Sequence, residues 1–249
     1  MHILVPTKQV PDLVEELFLD DDGTALDPDE CDYKLNEFDD QSLEEALLLK
    51  EQSGGTVTVL ALDGDGVNKV LYTALAKGAD RAIKLTGPEY TDVQGNLPLA
   101  KLYAAAMKRL DYDLVLTGVQ GVDDRDGQLG PLLGALLGLP CVCVATGIEA
   151  DGDTVALHKE YAGGLMASLR VTPPAVLGIQ AARQTPRYVA VSKVRQVQQT
   201  ATLEELEVDD PTPPLSKVLA MAPPETGGGA TTLADVDALA DVLRDKGVI

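Results

Sequence analysis

Two rhythms of apolar and polar positions alternate through the first half of the chain. Short β-branched and aliphatic runs at residues 3–6, 56–62, 81–85 and 114–117 read as strands, because a strand covered by helices is apolar throughout. Between them, helical spacing of apolar residues predicts helices over 39–52, 69–77, 97–110 and 127–137. Leu43, Ala46, Leu47 and Lys50 mark the first of these, and Leu99, Leu102, Ala106 and Leu110 the third. Gly78 stands where the second helix needs a left-handed stop. The order predicts an α/β fold: a doubly wound, mostly parallel sheet with helices on both faces.

After Pro140 the rhythm changes. Runs at 141–148, 154–161, 165–171 and 175–179 are strand-like, with turns at Asp151-Gly152-Asp153 and Gly163-Gly164. They are expected as antiparallel strands that extend the sheet. Asp20-Asp21-Asp22-Gly23 reads as the turn of a small hairpin insertion. Residues 180–199 read as an exposed loop carrying Arg183, Arg187, Lys193 and Arg195. From Asp209, the prolines at 211, 213, 214, 223 and 224 and the Gly227-Gly228-Gly229 run predict an extended linker. A short helix follows: Thr232 can cap it, Asp235 lies in its first turn, Val236, Leu239 and Leu243 form its stripe, and Gly247 ends it. Such a helix cannot bury its stripe alone, so it folds back on the domain or docks on a partner. The plan is an α/β unit over 1–208 and a linker with a helical arm over 209–249.

Composition narrows the function classes. The 249 residues suit one large domain, or one domain with a tail. Hydrophobic residues make up 45% and tryptophan is absent, so aliphatic side chains fill the core. No run reaches the ~18–20 apolar residues of a membrane span. The start, Met1-His2-Ile3-Leu4-Val5, reads as a strand rather than a signal peptide, so the cytosol, or a matrix-like compartment after processing, is expected. Asp and Glu number 40 against 20 Lys and Arg, a formal charge of −20. That argues against nucleic acid and anionic membranes. It leaves either a solvated acidic surface or steering toward a basic partner. The three cysteines fit a reducing compartment. Cys141 and Cys143 share one face of a strand and are expected as a buried pair of small apolar residues. With only His2 and His158 besides, no zinc constellation is visible, and no nucleophile–base motif is present.

Two segments can carry chemistry. Thr117 to Pro131 runs from a buried strand into a helix, where open α/β sheets bind ligands. Its glycines allow close backbone approach to a phosphate, the helix N-terminus offers N–H donors, and Gln128 adds another. Asp123, Asp124 and Asp126 oppose a phosphate unless their side chains turn to solvent or cap the turn. An ordinary βα loop has the same composition. The second segment is Leu35-Asn36-Glu37-Phe38-Asp39-Asp40, at a helix entrance. It reads as a base- or flavin-contacting wall, or as a cap with a hydrophobic staple.

In order along the chain, Leu4-Val5-Pro6-Thr7-Lys8-Gln9-Val10-Pro11-Asp12, Leu35 to Asp39 with Leu43-Glu44-Glu45-Ala46-Leu47, and Ala74-Leu75-Ala76-Lys77-Gly78-Ala79-Asp80-Arg81-Ala82 form a set with the 120–131 loop, Tyr161-Ala162-Gly163-Gly164, Pro186-Arg187-Tyr188 and the 239–249 helix. This set resembles the β subunit of electron-transferring flavoproteins. The resemblance implies an adenine-nucleotide alpha hydrolase-like sheet and a heterodimer whose α subunit carries the redox-active FAD. It implies AMP in the β pocket of a simple carrier, or a second FAD in an electron-bifurcating member that oxidises NADH. Pro6, Asn36, Glu37, Phe38, Asp39 and Leu62 match the nucleotide pocket. So do Gly121, Val122, Asp123, Asp124, Arg125, Asp126, Gly127, Gln128, Leu129, Gly130, Pro131 and Leu132. Phe38 falls where the family sets a side chain near the partner's flavin. Residues 181–199 match the loop that docks on flavin dehydrogenases, with Pro186, Arg187, Tyr188 and the apolar anchor Val191. The terminal helix matches an arm that wraps on the α subunit.

Simple carriers follow the loop's acids with Asn-Gln-Thr-Gly, whereas this chain has Gly127-Gln128-Leu129-Gly130-Pro131, without the threonine hydroxyl. Bifurcating members often read Ala-Gln-Val-Gly-Pro, which Leu129-Gly130-Pro131 approaches. The leading expectation is an electron carrier between flavin dehydrogenases of the acyl-CoA type and a quinone reductase, in a bacterial or archaeal cytoplasm, without membrane insertion, metal or catalytic acid–base residues. A bifurcating subunit and a stand-alone nucleotide-binding domain are the alternatives. Gly130→Val is expected to abolish nucleotide binding with the fold retained, because a Cβ would block backbone approach. Val191→Asp is expected to slow electron transfer from a dehydrogenase with flavin retained.

Overall fold

The computed structural model describes residues 1–64, 66–87, 95–124, 126–208, 217–224 and 229–249. Arg125 and most of the expected Pro- and Gly-rich linker, at 209–216 and 225–228, lie outside the described residues.

The elements run β1 (His2–Pro6), β2 (Gln9–Pro11), β3 (Tyr33–Leu35), α1 (Glu37–Ser53), β4 (Thr56–Leu62), α2 (Val67–Lys77), β5 (Arg81–Thr86), α3 (Asn96–Met107), β6 (Leu114–Gly118) and α4 (Leu129–Leu137). Then come β7 (Cys141–Asp151), β8 (Thr154–Tyr161), β9 (Leu165–Val171), β10 (Ala175–Ala181), α5 (Val191–Thr200), β11 (Glu204–Glu207) and α6 (Val236–Asp245). Nine strands form one sheet in the order β11-β5-β4-β1-β6-β10-β7-β8-β9, and β2 pairs with β3 apart from it.

The pleat sorts side chains into two cores, because successive residues of a strand face opposite ways. Ile3 and Val5, Leu114 and Leu116, and Leu177 and Ile179 face the layer that contains Leu43, Leu47 and Leu49 of α1 and Leu71 of α2. Leu4, Val115 and Val176 face the other layer, with Leu102, Tyr103 and Met107 of α3 and Leu133 of α4. Each fully buried leucine stabilises by about 1.5–3 kcal/mol relative to exposure. The result is three layers, α/β/α, as the alternation of elements predicts.

Three expectations change. The strands after Pro140 are not all antiparallel. β7–β8 and β8–β9 are, but β10 lies between β6 and β7 and pairs parallel with both. Its five residues from Ala175 to Ile179 are buried throughout, as a strand covered on both faces must be. Val144, at φ 62°, has no partner in the register with β10 and forms a bulge in β7. Second, the exposed loop at 180–199 ends in a helix, α5, and β11 follows it. Third, α6 is capped by Asp235, whose Oδ1 accepts the Ala238 N–H at 2.8 Å, and not by Thr232. Gly78 does end α2, with φ 126° in the positive-φ region, wider than the left-handed helical well. The Asp20 turn closes its hairpin through the Leu19–Leu26 bridge.

Candidate functional site at the switch point of the sheet

Strand order reverses between β1 and β6: from β1 the chain winds outward through β4 and β5, then crosses back to β6. The ends of such diverging strands leave a crevice. Asp39, in the first turn of α1, spans it. One oxygen accepts the Lys8 N–H just past β1 at 3.0 Å, and the other accepts the Gly118 N–H at the end of β6 at 3.2 Å. A Cβ on Gly118 would lie 2.4 Å from that carboxylate, so only glycine lets α1 come this close. Burial pushes the Asp39 carboxyl up to about 7, against these hydrogen bonds and the nearby Lys8 charge. Beneath it, the buried Tyr103 hydroxyl donates to the Thr7 carbonyl at 2.8 Å and braces the end of β1.

A cation just past the end of β1 pairs with two of the loop's three acids. Lys8 Nζ lies 2.7 Å from Asp123 Oδ1 and 2.7 Å from Asp124 Oδ2. Burial works against the ammonium, yet the two carboxylates outweigh it and raise its pKa above the usual lysine value. Asp124 also caps the loop: its Oδ1 accepts from Asn96 Nδ2 at 2.9 Å and from the Gly127 N–H at 3.4 Å. Asn36 Nδ2 donates to the Gln120 carbonyl at 2.9 Å, which joins the two candidate segments.

Between these segments lies a cavity of about 260 Å³ lined by Leu13, Asn36, Glu37, Phe38, Gln120, Gly121 and Val122. Five expected residues therefore meet there: Asn36, Glu37, Phe38, Gly121 and Val122. Pro6 and Leu62 stand at the ends of β1 and β4, and Asp39 is buried at the α1 entrance. None of these three lines the cavity. Asp126, Gly127 and Gln128 lead to α4, whose first turn carries no acidic residue. The first N–H groups of a helix have no intrahelical partner, so this terminus can receive an anion. Thr117 adds a buried hydroxyl without a hydrogen-bond partner at the end of β6.

Other site residues serve packing. Leu129 and Leu132 lean into the second core, and Pro131 is exposed. Gly130 does not wait open for a ligand: a Cβ there would meet Cys143 Sγ and Thr117 Oγ1, each at 3.0 Å. A valine would thus press on the seat of α4 as well as on any ligand. Cys141 and Cys143 do share a face, with sulfurs 3.6 Å apart, but Cys141 is exposed and Cys143 half-buried.

In the docking segment, Tyr188 and Val191 are 87% and 63% exposed. Pro186 is half-buried, and the Arg187 guanidinium is engaged within the chain by Glu44 and Glu51. Sequence reasoning missed Lys8, Asn96, Glu44 and Glu45 as shaping residues. The signal for Lys8 was present: a cluster of three acids on a ligand loop calls for a cation nearby.

Among the described residues, no group of three or more His, Cys, Asp or Glu is placed to hold a metal ion, and no helix is long and apolar enough to cross a membrane. The electron transfer flavoprotein domain profile matches residues 25–211. The chain is 34% identical to the electron transfer flavoprotein subunit beta of Clostridium acetobutylicum, over 78% of this chain and 74% of that one. It is 33% identical to the subunit of the same name from Methylophilus methylotrophus, over 84% and 80%. With the Homo sapiens subunit beta it shares 28% identity over 100% of this chain and 99% of that one. The order of strands, the crevice they leave and these matches agree: the chain belongs to the electron transfer flavoprotein family, as a β subunit that takes part in electron transfer with an α-subunit partner and a flavin in the complex.

Proposed function

We propose that this chain is the β subunit of a simple electron carrier. Its pocket holds AMP, and electrons pass from flavin dehydrogenases of the acyl-CoA type to a quinone reductase through FAD on the α subunit. The observation that carries the AMP reading is the cavity between Asn36–Phe38 and Gln120–Val122, the latter on the loop that leads from β6 to α4. At about 260 Å³ it falls just below the ~300–1,000 Å³ of sites that enclose drug-sized ligands, which suits part of a mononucleotide better than a whole dinucleotide. Lys8 eases the charge conflict by pairing with Asp123 and Asp124, so that backbone N–H groups at the start of α4 can hold phosphate.

FAD supplies the electron chemistry when bound. The residues here orient and exclude: Phe38 forms an apolar wall, and Asp39 fixes α1 to both strand ends. α6, with Val236 79% and Leu239 45% exposed, is the arm that docks on the α subunit. Tyr188 and Val191 meet the dehydrogenase.

The sequence Leu129-Gly130-Pro131, without the threonine hydroxyl, favours a second reading, a bifurcating subunit with its own FAD. Co-expression with the α subunit, denaturation of the purified complex and identification of the released nucleotides decides between them. One FAD and one AMP per heterodimer supports the simple carrier. Two FAD and no AMP overturns it in favour of bifurcation.

A further inference from the structure

Buried carboxylates hold the segment before α5 to α1. Glu44 and Glu45 are 3% and 0% exposed, adjacent on α1 and outside the nucleotide cavity. Glu45 accepts the Arg183 main-chain N–H at 2.8 Å and the Arg183 Nε–H at 2.7 Å. Glu44 accepts the Arg187 main-chain N–H at 2.9 Å, and takes Nε and Nη2 of the same guanidinium, each at 2.9 Å. Gln41 accepts the Ala182 N–H at 2.9 Å, and Glu51 takes Arg187 Nη1 at 2.9 Å. Each arginine is held by both main chain and side chain, so the path of 182–187 along α1 is defined. Beyond it, α5 lies against α2, with no buried residue and no side-chain cap.

A buried ion pair is a poor source of stability, because desolvation offsets most of the attraction. Its best-attested use is to define one geometry. The geometry defined here is the start of α5 relative to α1. That helix also carries Phe38 in the cavity wall, six residues or about 9 Å of helix before Glu44.

We infer that Glu44 and Glu45 are positioning residues: through Arg187 and Arg183 they set where Tyr188 and Val191 stand, relative to the Phe38 wall, for an incoming dehydrogenase. This rests on the docking role proposed for 181–199.

The test uses the complex of this chain with its α subunit, hydrogen exchange read by mass spectrometry, and steady-state reduction by an acyl-CoA-type dehydrogenase. Glu44→Gln keeps the side-chain shape and removes the charge. Exchange across 183–200 is expected to accelerate. The KM for the complex should rise about tenfold with kcat within about twofold, while nucleotide and flavin content stay unchanged. Arg187→Lys keeps the charge but loses the fork, and should show the same pattern at smaller amplitude. If Glu44→Gln does not accumulate as folded protein, Arg187→Lys carries the comparison. Unchanged exchange, or faster exchange with unchanged KM, overturns the inference. So does loss of kcat together with bound nucleotide, which marks a merely structural role. Val191→Asp, run in parallel, separates the two levels: if it leaves KM unchanged, the docking role has failed and the inference falls with it.

Discussion

Asp39 and Lys8 meet at the same crevice with opposite demands on a proton. The folded state raises the Asp39 carboxyl from its ordinary 3.8 to about 7, so folding takes up a proton between those values. The stability this contributes is full below about pH 4 and is lost as pH rises through about 7. Asp39→Asn removes the titration. The melting temperature of the natural chain minus that of the variant should therefore fall between pH 5 and 8.5, and a flat difference would remove Asp39 as the source. Lys8 acts through charge on the ligand loop. Lys8→Gln leaves Asp123 and Asp124 unopposed beside an anion, which should weaken nucleotide binding by about tenfold or more. Nucleotide released per folded chain measures it, and undiminished content would mean that the two carboxylates face away from the ligand. Neither residue's role could be read from local spacing. Lys8 meets Asp124 across 116 positions, and Asp39 meets Gly118 across 79.

At the scale of elements, α4 sits on β7 through glycines. Positions 130 and 134 present no side chain, and Cβ atoms there would meet Cys143 Sγ at 3.0 Å and Cys141 Cβ at 2.6 Å. Gly130→Ala should cost about 1–3 kcal/mol by overpacking and should also lower nucleotide content, because the helix that receives the phosphate moves. Cys143→Ala, which opens the slot, should recover part of that stability in the double variant; additive losses in denaturant titrations would place the strain elsewhere. Most elements of the α/β half were legible, because apolar periodicity marks strands and helices that face a core. α5 was not: its Val191, Val194 and Val197 do recur at helical spacing, but β-branched residues among glutamines are weak helix formers, and none of its residues is buried. The position of β10 was written in its unbroken apolar run, Ala-Val-Leu-Gly-Ile, which suits a strand covered on both faces better than an antiparallel extension. The cavity-lining segments were legible as candidates through Asn36–Phe38 and Gly121–Val122, and their meeting is long-range information that no local pattern carries.

Over the whole molecule, charge is unevenly placed. The net charge is −20, yet no acidic residue lies between Glu160 and Glu204, a stretch that holds Arg170, Arg183, Arg187, Lys193 and Arg195. Arg170, Arg183 and Arg187 are paired within the chain, whereas Lys193 and Arg195 are exposed on α5. Reduction of the complex by a cognate dehydrogenase should therefore slow as salt rises across the range where the screening length shrinks from about 30 to 8 Å. Lys193→Glu with Arg195→Glu should flatten that dependence; a salt-independent rate in the natural chain would show that encounter is not steered by α5. The sheet order also carries a consequence for synthesis. β10 is the keystone between β6 and β7, and it follows the β7–β9 flap in the chain. A nascent chain stopped at residue 174 would hold two half-sheets with bare inner edges, each open to pairing with a neighbour. The flap can pair into the sheet of the nucleotide-binding half only after 175–181 have emerged, so closure of the nine-stranded sheet is gated by the late arrival of seven residues.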